Sequence, residues 1–336
     1  MTSAISQLVF PLAAVGLTFL VLMPLLTGLS RAVLARSRAR AQIWAAFGTE
    51  TTFAWLVAPT ALPLLWLTSA ALHQTERRAW DHQLHPETTT HADAALLFGL
   101  IVVGLLSTVL LRLWRERPQM HAEALPAEHP QARRLRRLLQ ANPRLRHLRV
   151  RLVREAAASV YAAGWLRPTV YLDLCFATDA DDEMLTSAIL HERAHLMGHD
   201  TLRDFIVRLC LSINPFGRWL RDDFGRWQQA REAQCDSEAV QQGGDPLALA
   251  AGILRGARHH HSPSSCAVSL LCGHSLSALE LRLALLLNGP PSPVRTWGHR
   301  ALFVAVMLVL TLPHLQIGGL DQMHEWAEQL TYQLGL

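Results

Sequence analysis

The chain has 336 residues, half of them hydrophobic and only 17% charged, with a formal charge of +4. Soluble domains carry about a quarter charged residues, so this composition points to a membrane protein of one or two domains. Every basic residue is Arg, and without Lys the Schiff-base, Ser-Lys and P-loop chemistries are excluded.

Residues 1–30 carry no charged side chain, and the apolar run at about 9–29 is long enough to span a bilayer as a helix. No basic n-region precedes it and the run is too long for a signal peptide. Further apolar runs at 53–72, 94–113 and 300–320 predict about four transmembrane helices. Residues 1–113 thus form a membrane domain with three spans. The link between the first two spans holds Arg31, Arg36, Arg38 and Arg40, and Arg112, Arg115 and Arg117 follow the third. Between them, His73–Asp93 reads as a loop in which Arg77 and Arg78 are offset by Glu76, Asp81, Glu87 and Asp93. The positive-inside rule then puts the amino terminus outside, the region between the third and fourth spans in the cytoplasm, and residues 321–336 in a short extracytoplasmic tail. Five scattered cysteines (Cys175, Cys210, Cys235, Cys266, Cys272) form no C-x-x-C pair and suit a reducing compartment.

Residues 114–146 read as a basic juxtamembrane connector, with a helix opened by Pro130 that lies on anionic headgroups rather than on nucleic acid. A soluble domain follows over 147–292. Short strands are expected at Leu148–Val153, Ser159–Trp165 and Pro168–Leu172. Ala158–Ala163 is the candidate edge strand for holding an extended substrate backbone. Helices are expected at Glu183–Gly198, Leu202–Ile213, Trp219–Gln241, Pro246–Gly256 and Leu276–Leu287, with a loop over His259–His274.

The first of these helices carries His191-Glu192-Arg193-Ala194-His195, an H-E-x-x-H motif in an apolar frame. Positions i and i+4 share a helix face, so His191 and His195 can aim two imidazoles at one metal ion. Glu192 sits about 100° round the helix, beside that face, where it can act as a base without being a ligand. The motif alone arises by chance often enough to need a third ligand. Arg231-Glu232-Ala233-Gln234-Cys235-Asp236 supplies one: Glu232 completes a two-His, one-Glu set for a single Zn2+. Asp236, one turn on, can hold the distal N–H of a ligating His. Asp200 is expected either behind the metal or, preferably, as a cap for the next helix. Cys235 reads as a small buried hydrophobe. Tyr161, His199, His274 and several arginines are open candidates for a second oxyanion donor.

The order of spans resembles the BlaR/MecR-type membrane metallopeptidases. So does the succession Pro168-Thr169-Val170-Tyr171-Leu172, then the H-E-x-x-H motif and Asp200, then Asn214-Pro215, then Glu232 with Asp236. The likeness covers nearly the whole chain and is most specific over 160–240. It implies an α-helical membrane protein with a cytoplasmic α+β zincin-like (gluzincin) domain in the bacterial inner membrane. It also implies His191, His195 and Glu232 as zinc ligands, Glu192 as catalytic base, and signalling through proteolysis of a cytoplasmic transcriptional repressor or of the protein itself. The β-lactam receptors of that family carry a penicillin-binding domain after the fourth span. This sequence shows none and has no Lys for a Ser-x-x-Lys nucleophile, so a separate sensor protein is an expected partner. Direct nucleic-acid binding is not expected, and a homodimer is compatible with the sequence. The alternatives are a quality-control protease resembling the HtpX type, and a non-catalytic receptor or scaffold that retains a zinc site.

Overall fold

The computed structural model describes residues 12–40, 49–84, 124–154, 156, 158–164, 168–259 and 276–288, with positions 103, 104, 107, 108, 111, 301, 303–305 and 308. The chain is mostly helical with one small mixed sheet. It divides into two compact units: Met1–Trp114 with Val207–Phe224 and Arg295–Leu336, and Arg115–Ile206 with Gly225–Val294.

In the first unit, a π-helical turn at Leu17–Leu22 leads into α1 (Met23–Arg40), and α2 runs over Thr49–Leu84. Two stretches, Leu12–Ala35 and Thr49–Ser69, are long and apolar enough to cross a membrane. These correspond to the first two expected spans. Of the third and fourth, only the scattered positions just named are described, and these are helical; the remainder, like the 321–336 tail, lies outside the described residues. The helix of the second span does not stop where the apolar run ends. It continues to Leu84, through half of the expected His73–Asp93 loop. The sequence between Pro63 and Pro86 has no Pro or Gly to break it, and helix formers such as Gln74, Glu76, Arg77 and Ala79 extend it into polar residues. Some polar side chains inside this unit are paired across it. The Thr27 hydroxyl donates to the Met23 carbonyl (2.6 Å) and accepts from Asn214 Nδ2 (2.9 Å), while the Thr60 hydroxyl donates to the Cys210 carbonyl (3.0 Å).

The second unit contains the sheet. Strands β1 (Val150–Val153), β2 (Val160–Ala163) and β3 (Thr169–Asp173) lie in the order β1-β3-β2, with β1 parallel and β2 antiparallel to β3. β2 is therefore an edge strand. The Asp173 N–H donates to the Ser159 carbonyl, which makes Ser159–Asp173 a hydrogen-bonded pair. Such pairs alternate along an antiparallel ladder, so the backbone groups of Val160 and Ala162 face away from β3.

Before the sheet comes α3 (Pro130–Ala141), started by His129, whose side chain accepts from the Gln131 N–H. The basic connector is only partly an arm. Leu135 and Leu145 are buried in the main core, and the Leu125 N–H donates to the Leu152 carbonyl. The compact unit thus starts well before residue 147, because the leucines between the arginines supply an apolar stripe for the core. Arg133, Arg136 and Arg137 remain exposed on the other side of α3.

After β3 come α4 (Leu174–Asp179), absent from the sequence expectation, and α5 (Asp182–Met197). Each begins on an Asp cap. Asp173 accepts from the Cys175 and Phe176 N–H groups, and Asp181 from the Met184 N–H. The short α4 escaped notice because six residues give no readable period. α5 is buried on most sides, with Leu185, Ile189 and Leu190 in the core. Then follow α6 (Asp200–Ile213), a 3-10 turn at Gly217–Leu220, α7 (Arg221–Gln241), α8 (Pro246–His259) and α9 (Leu276–Asn288). Gly243, at φ +99°, ends the stretch after α7 in a conformation that glycine adopts freely. The expected loop between α8 and α9 lies outside the described residues.

Candidate metal centre

The site is built where α5 and α7 come together. His191 and His195, one turn apart on α5, are each 1% exposed, and Glu232 on α7 is fully buried. The two Nε2 atoms stand 3.1 Å apart. Glu232 Oε2 lies 3.6 Å from His191 Nε2, and Oε1 lies 3.5 Å from His195 Nε2. Zinc bonds of about 2.05 Å in a tetrahedron put neighbouring ligand atoms about 3.3 Å apart, so this spacing suits one small cation.

Each imidazole is anchored from behind. His191 Nδ1 stands 2.8 Å from Asp236 Oδ1, and His195 Nδ1 stands 2.8 Å from Asp200 Oδ2. Such carboxylate partners fix the tautomer with the proton on Nδ1 and leave Nε2 as the donor atom. Asp200 begins α6, but its carboxylate points to His195 and Arg231 rather than serving as the expected cap.

Both anchoring carboxylates are themselves held by guanidinium groups. Arg231 donates from Nε (3.0 Å) and Nη2 (2.8 Å) to Asp200 Oδ2. Arg282, from α9, donates from Nε (2.7 Å) and Nη2 (2.8 Å) to the two oxygens of Asp236, and its Nη1 stands 2.9 Å from Glu232 Oε2. Gly198 makes room for Arg231: a Cβ there would collide with Nη2. The sequence reading assigned neither arginine a role. Arg231 lay unremarked beside Glu232. The signal for Arg282 was a lone cation within the leucine-rich helix Leu276–Asn288.

Glu192 is 4% exposed, and its carboxylate accepts the Ala162 N–H from the open edge of β2. Burial raises its pKa, against the opposing pull of His195, His191 and that N–H. Burial would likewise raise Glu232 and Asp236, but Arg282 and the histidines outweigh it and hold both low. Cys235 is fully buried as expected, yet its Sγ lies 3.3 Å from His195 Nδ1, and burial raises its thiol well above the usual range. Tyr161 stacks on Tyr171, with ring centres 5.2 Å apart, in a small cluster with Val153 and Ala158. His199 is exposed at φ +52°, and His274 lies outside the described residues.

Three features fit a divalent cation. Both oxygens of Glu232 are buried and neither accepts a well-aligned hydrogen bond from the described residues; Arg282 Nη1 stands 2.9 Å from Oε2, and Oε1 faces His195 Nε2. Two imidazole nitrogens facing each other at 3.1 Å repel unless a proton or metal lies between them. Four buried carboxylates (Glu192, Asp200, Glu232, Asp236) oppose two buried guanidiniums (Arg231, Arg282), and when ionised they leave a charge of −2. The buried His191, His195 and Glu232 group is close enough to hold a metal ion. The ligand atoms of His195, Asp200 and Cys235 also lie within 4.8 Å of one another. Arg231 already occupies Asp200 there, and its positive charge disfavours a second cation.

No known family model matches the chain, and no curated protein matches it.

Metal-free, the site takes its positive charge from a proton. Burial alone would lower His191, but Asp236 and Glu232 push it up to about 10. A raised folded value stabilises fully below the ordinary 6.5, and that contribution is lost as pH rises towards about 10. Metal-free protein is therefore expected to lose thermal stability progressively across that window. Metal uptake at pH 7 is expected to release about one proton from His191, measured by calorimetry in buffers of different ionisation enthalpy. Uptake with no proton released contradicts this account.

Proposed function

We propose that the protein is an integral-membrane zinc endopeptidase, with His191, His195 and Glu232 as ligands and Glu192 as general base. The observation that carries this reading is the buried donor set with carboxylates behind both imidazoles, beside a fourth carboxylate tied to an open strand edge. A purely structural zinc site fills its fourth position with a protein ligand and has no use for a base.

Bound there, zinc supplies a Lewis acid and lowers the pKa of water towards 7. Glu192 takes the proton from the attacking water and returns it to the leaving amine. Burial raises its pKa, which makes it a stronger base for taking that proton. An extended substrate adds to the edge of β2 through the outward backbone groups of Val160 and the Ala162 carbonyl, the Ala162 N–H being held by Glu192. The Ala162 N–H ties that edge to Glu192 and so sets the base against the scissile bond.

The two long apolar helices support residence in the cell membrane, and the arginine distribution supports a cytoplasmic catalytic domain. The resemblance to BlaR/MecR-type peptidases extends the proposal to signalling, with a cytoplasmic repressor or the protein's own chain as substrate.

Full-length protein in detergent is expected to carry about one zinc per chain and to cut an unstructured protein substrate. A chelator should abolish cleavage, and added zinc should restore it. Cleavage that survives complete metal removal refutes the reading.

A further inference from the structure

The proposed ligands come from α5 and α7, yet α9 reaches the same centre through a single side chain. Arg282 is 3% exposed on a helix otherwise rich in Leu and Ala. Its Nε and Nη2 form a fork on the two oxygens of Asp236, and Nη1 stands 2.9 Å from Glu232 Oε2. One planar group thus spans a proposed metal ligand and the carboxylate behind His191, which lie one turn apart on α7. Burying a guanidinium is costly, and an apolar side chain usually packs as well or better where nothing but stability is at stake. Arg231 makes a useful contrast. It holds Asp200 and lies 3.6 Å from Cys235 Sγ, whereas Arg282 reaches a proposed ligand.

We propose that Arg282 is a positioning residue of the metal centre, orienting Glu232 through Nη1 and, through its fork, the Asp236 that holds His191. The inference rests on the metal half of the function proposed above. Contact with Oε2 leaves Oε1, which faces His195 Nε2, as the freer donor of Glu232. Lys cannot replace this arrangement, because a single ammonium is a point charge and cannot reproduce a fork on one carboxylate plus a third contact on another.

The test uses full-length protein in detergent: wild type, Arg282→Lys and Arg282→Met. Zinc affinity is measured by competition with a chelator, and the visible absorption of the Co2+-loaded protein reports the coordination directly. Thermal unfolding of the metal-free protein is followed alongside. Arg282→Met is expected to weaken zinc binding about 10- to 100-fold and to alter the cobalt bands as Glu232 loses its orientation. Arg282→Lys should fall between Arg282→Met and wild type in both readouts. Wild-type zinc affinity and cobalt spectrum in Arg282→Met overturn the proposal, even if the metal-free variant unfolds at a lower temperature. Should Arg282→Met fail to fold, Arg282→Lys decides by the same two readouts, and wild-type values there overturn it equally. A wild-type protein that binds neither zinc nor cobalt refutes the metal site itself, a failure distinct from that of the Arg282 assignment.

Discussion

Glu192→Gln is expected to lower peptide hydrolysis by about 10²- to 10⁴-fold while leaving one zinc bound per chain. The substitution keeps the shape of the side chain and an oxygen for the Ala162 N–H, but removes the group that accepts and returns the proton. Stability should be unchanged or higher. The pKa of Glu192 is raised, so burial disfavours its ionised form, and a neutral amide removes that cost at neutral pH. Turnover, zinc content and thermal midpoint are measured on the same preparation. A variant that cleaves at the wild-type rate removes Glu192 from the mechanism. One that loses zinc together with activity moves Glu192 into the ligand set.

Glu232→Ala is expected to weaken zinc binding by more than about 100-fold and to abolish hydrolysis with it. Changes behind a ligand already cost 10- to 100-fold, and this one removes the ligand itself. It also takes one negative charge from a buried cluster whose balance of −2 matches a divalent cation. Arg282 keeps its fork on Asp236, so the fold should survive and the loss should be confined to the site. Chelator competition measures the affinity, and circular dichroism of the metal-free protein checks the fold. Zinc held as tightly by Glu232→Ala as by wild type eliminates Glu232 as a ligand. Read together, the two variants separate base from ligand: one should lose turnover alone, the other metal and turnover.

Much of this arrangement was legible in the chain because it is local. A spacing of four residues puts His191 and His195 on one helix face, and the same spacing puts Glu232 and Asp236 on one face of α7, where Asp236 reaches the ring of His191. Asp181 caps its helix from the position where such a residue should stand, alternation marked the first strand, and the short apolar runs around Gly164 marked the other two. What spacing could not supply was everything that arrives from elsewhere in the chain. Asp200 lies five residues past His195 and reads equally well as a cap; only the bend at His199 and the cradle at Gly198 aim it back at the imidazole. The arginines of the basic connector predict a helix lying on headgroups; the core that buries Leu135 and Leu145 comes from the rest of the unit.

By itself the sequence determined which histidines and carboxylates pair along each helix, since 3.6 residues per turn is a property of the backbone alone. The tertiary structure decided which helix faces met. It brought Glu232 to within 3.6 Å of an imidazole 41 positions earlier, carried Arg282 another 50 positions back to the same centre, and turned the edge amide of Ala162 towards Glu192. Those approaches follow from how α5, α7, α8 and α9 contribute apolar residues to one core, and burial is non-directional, so residue spacing along the chain does not specify it.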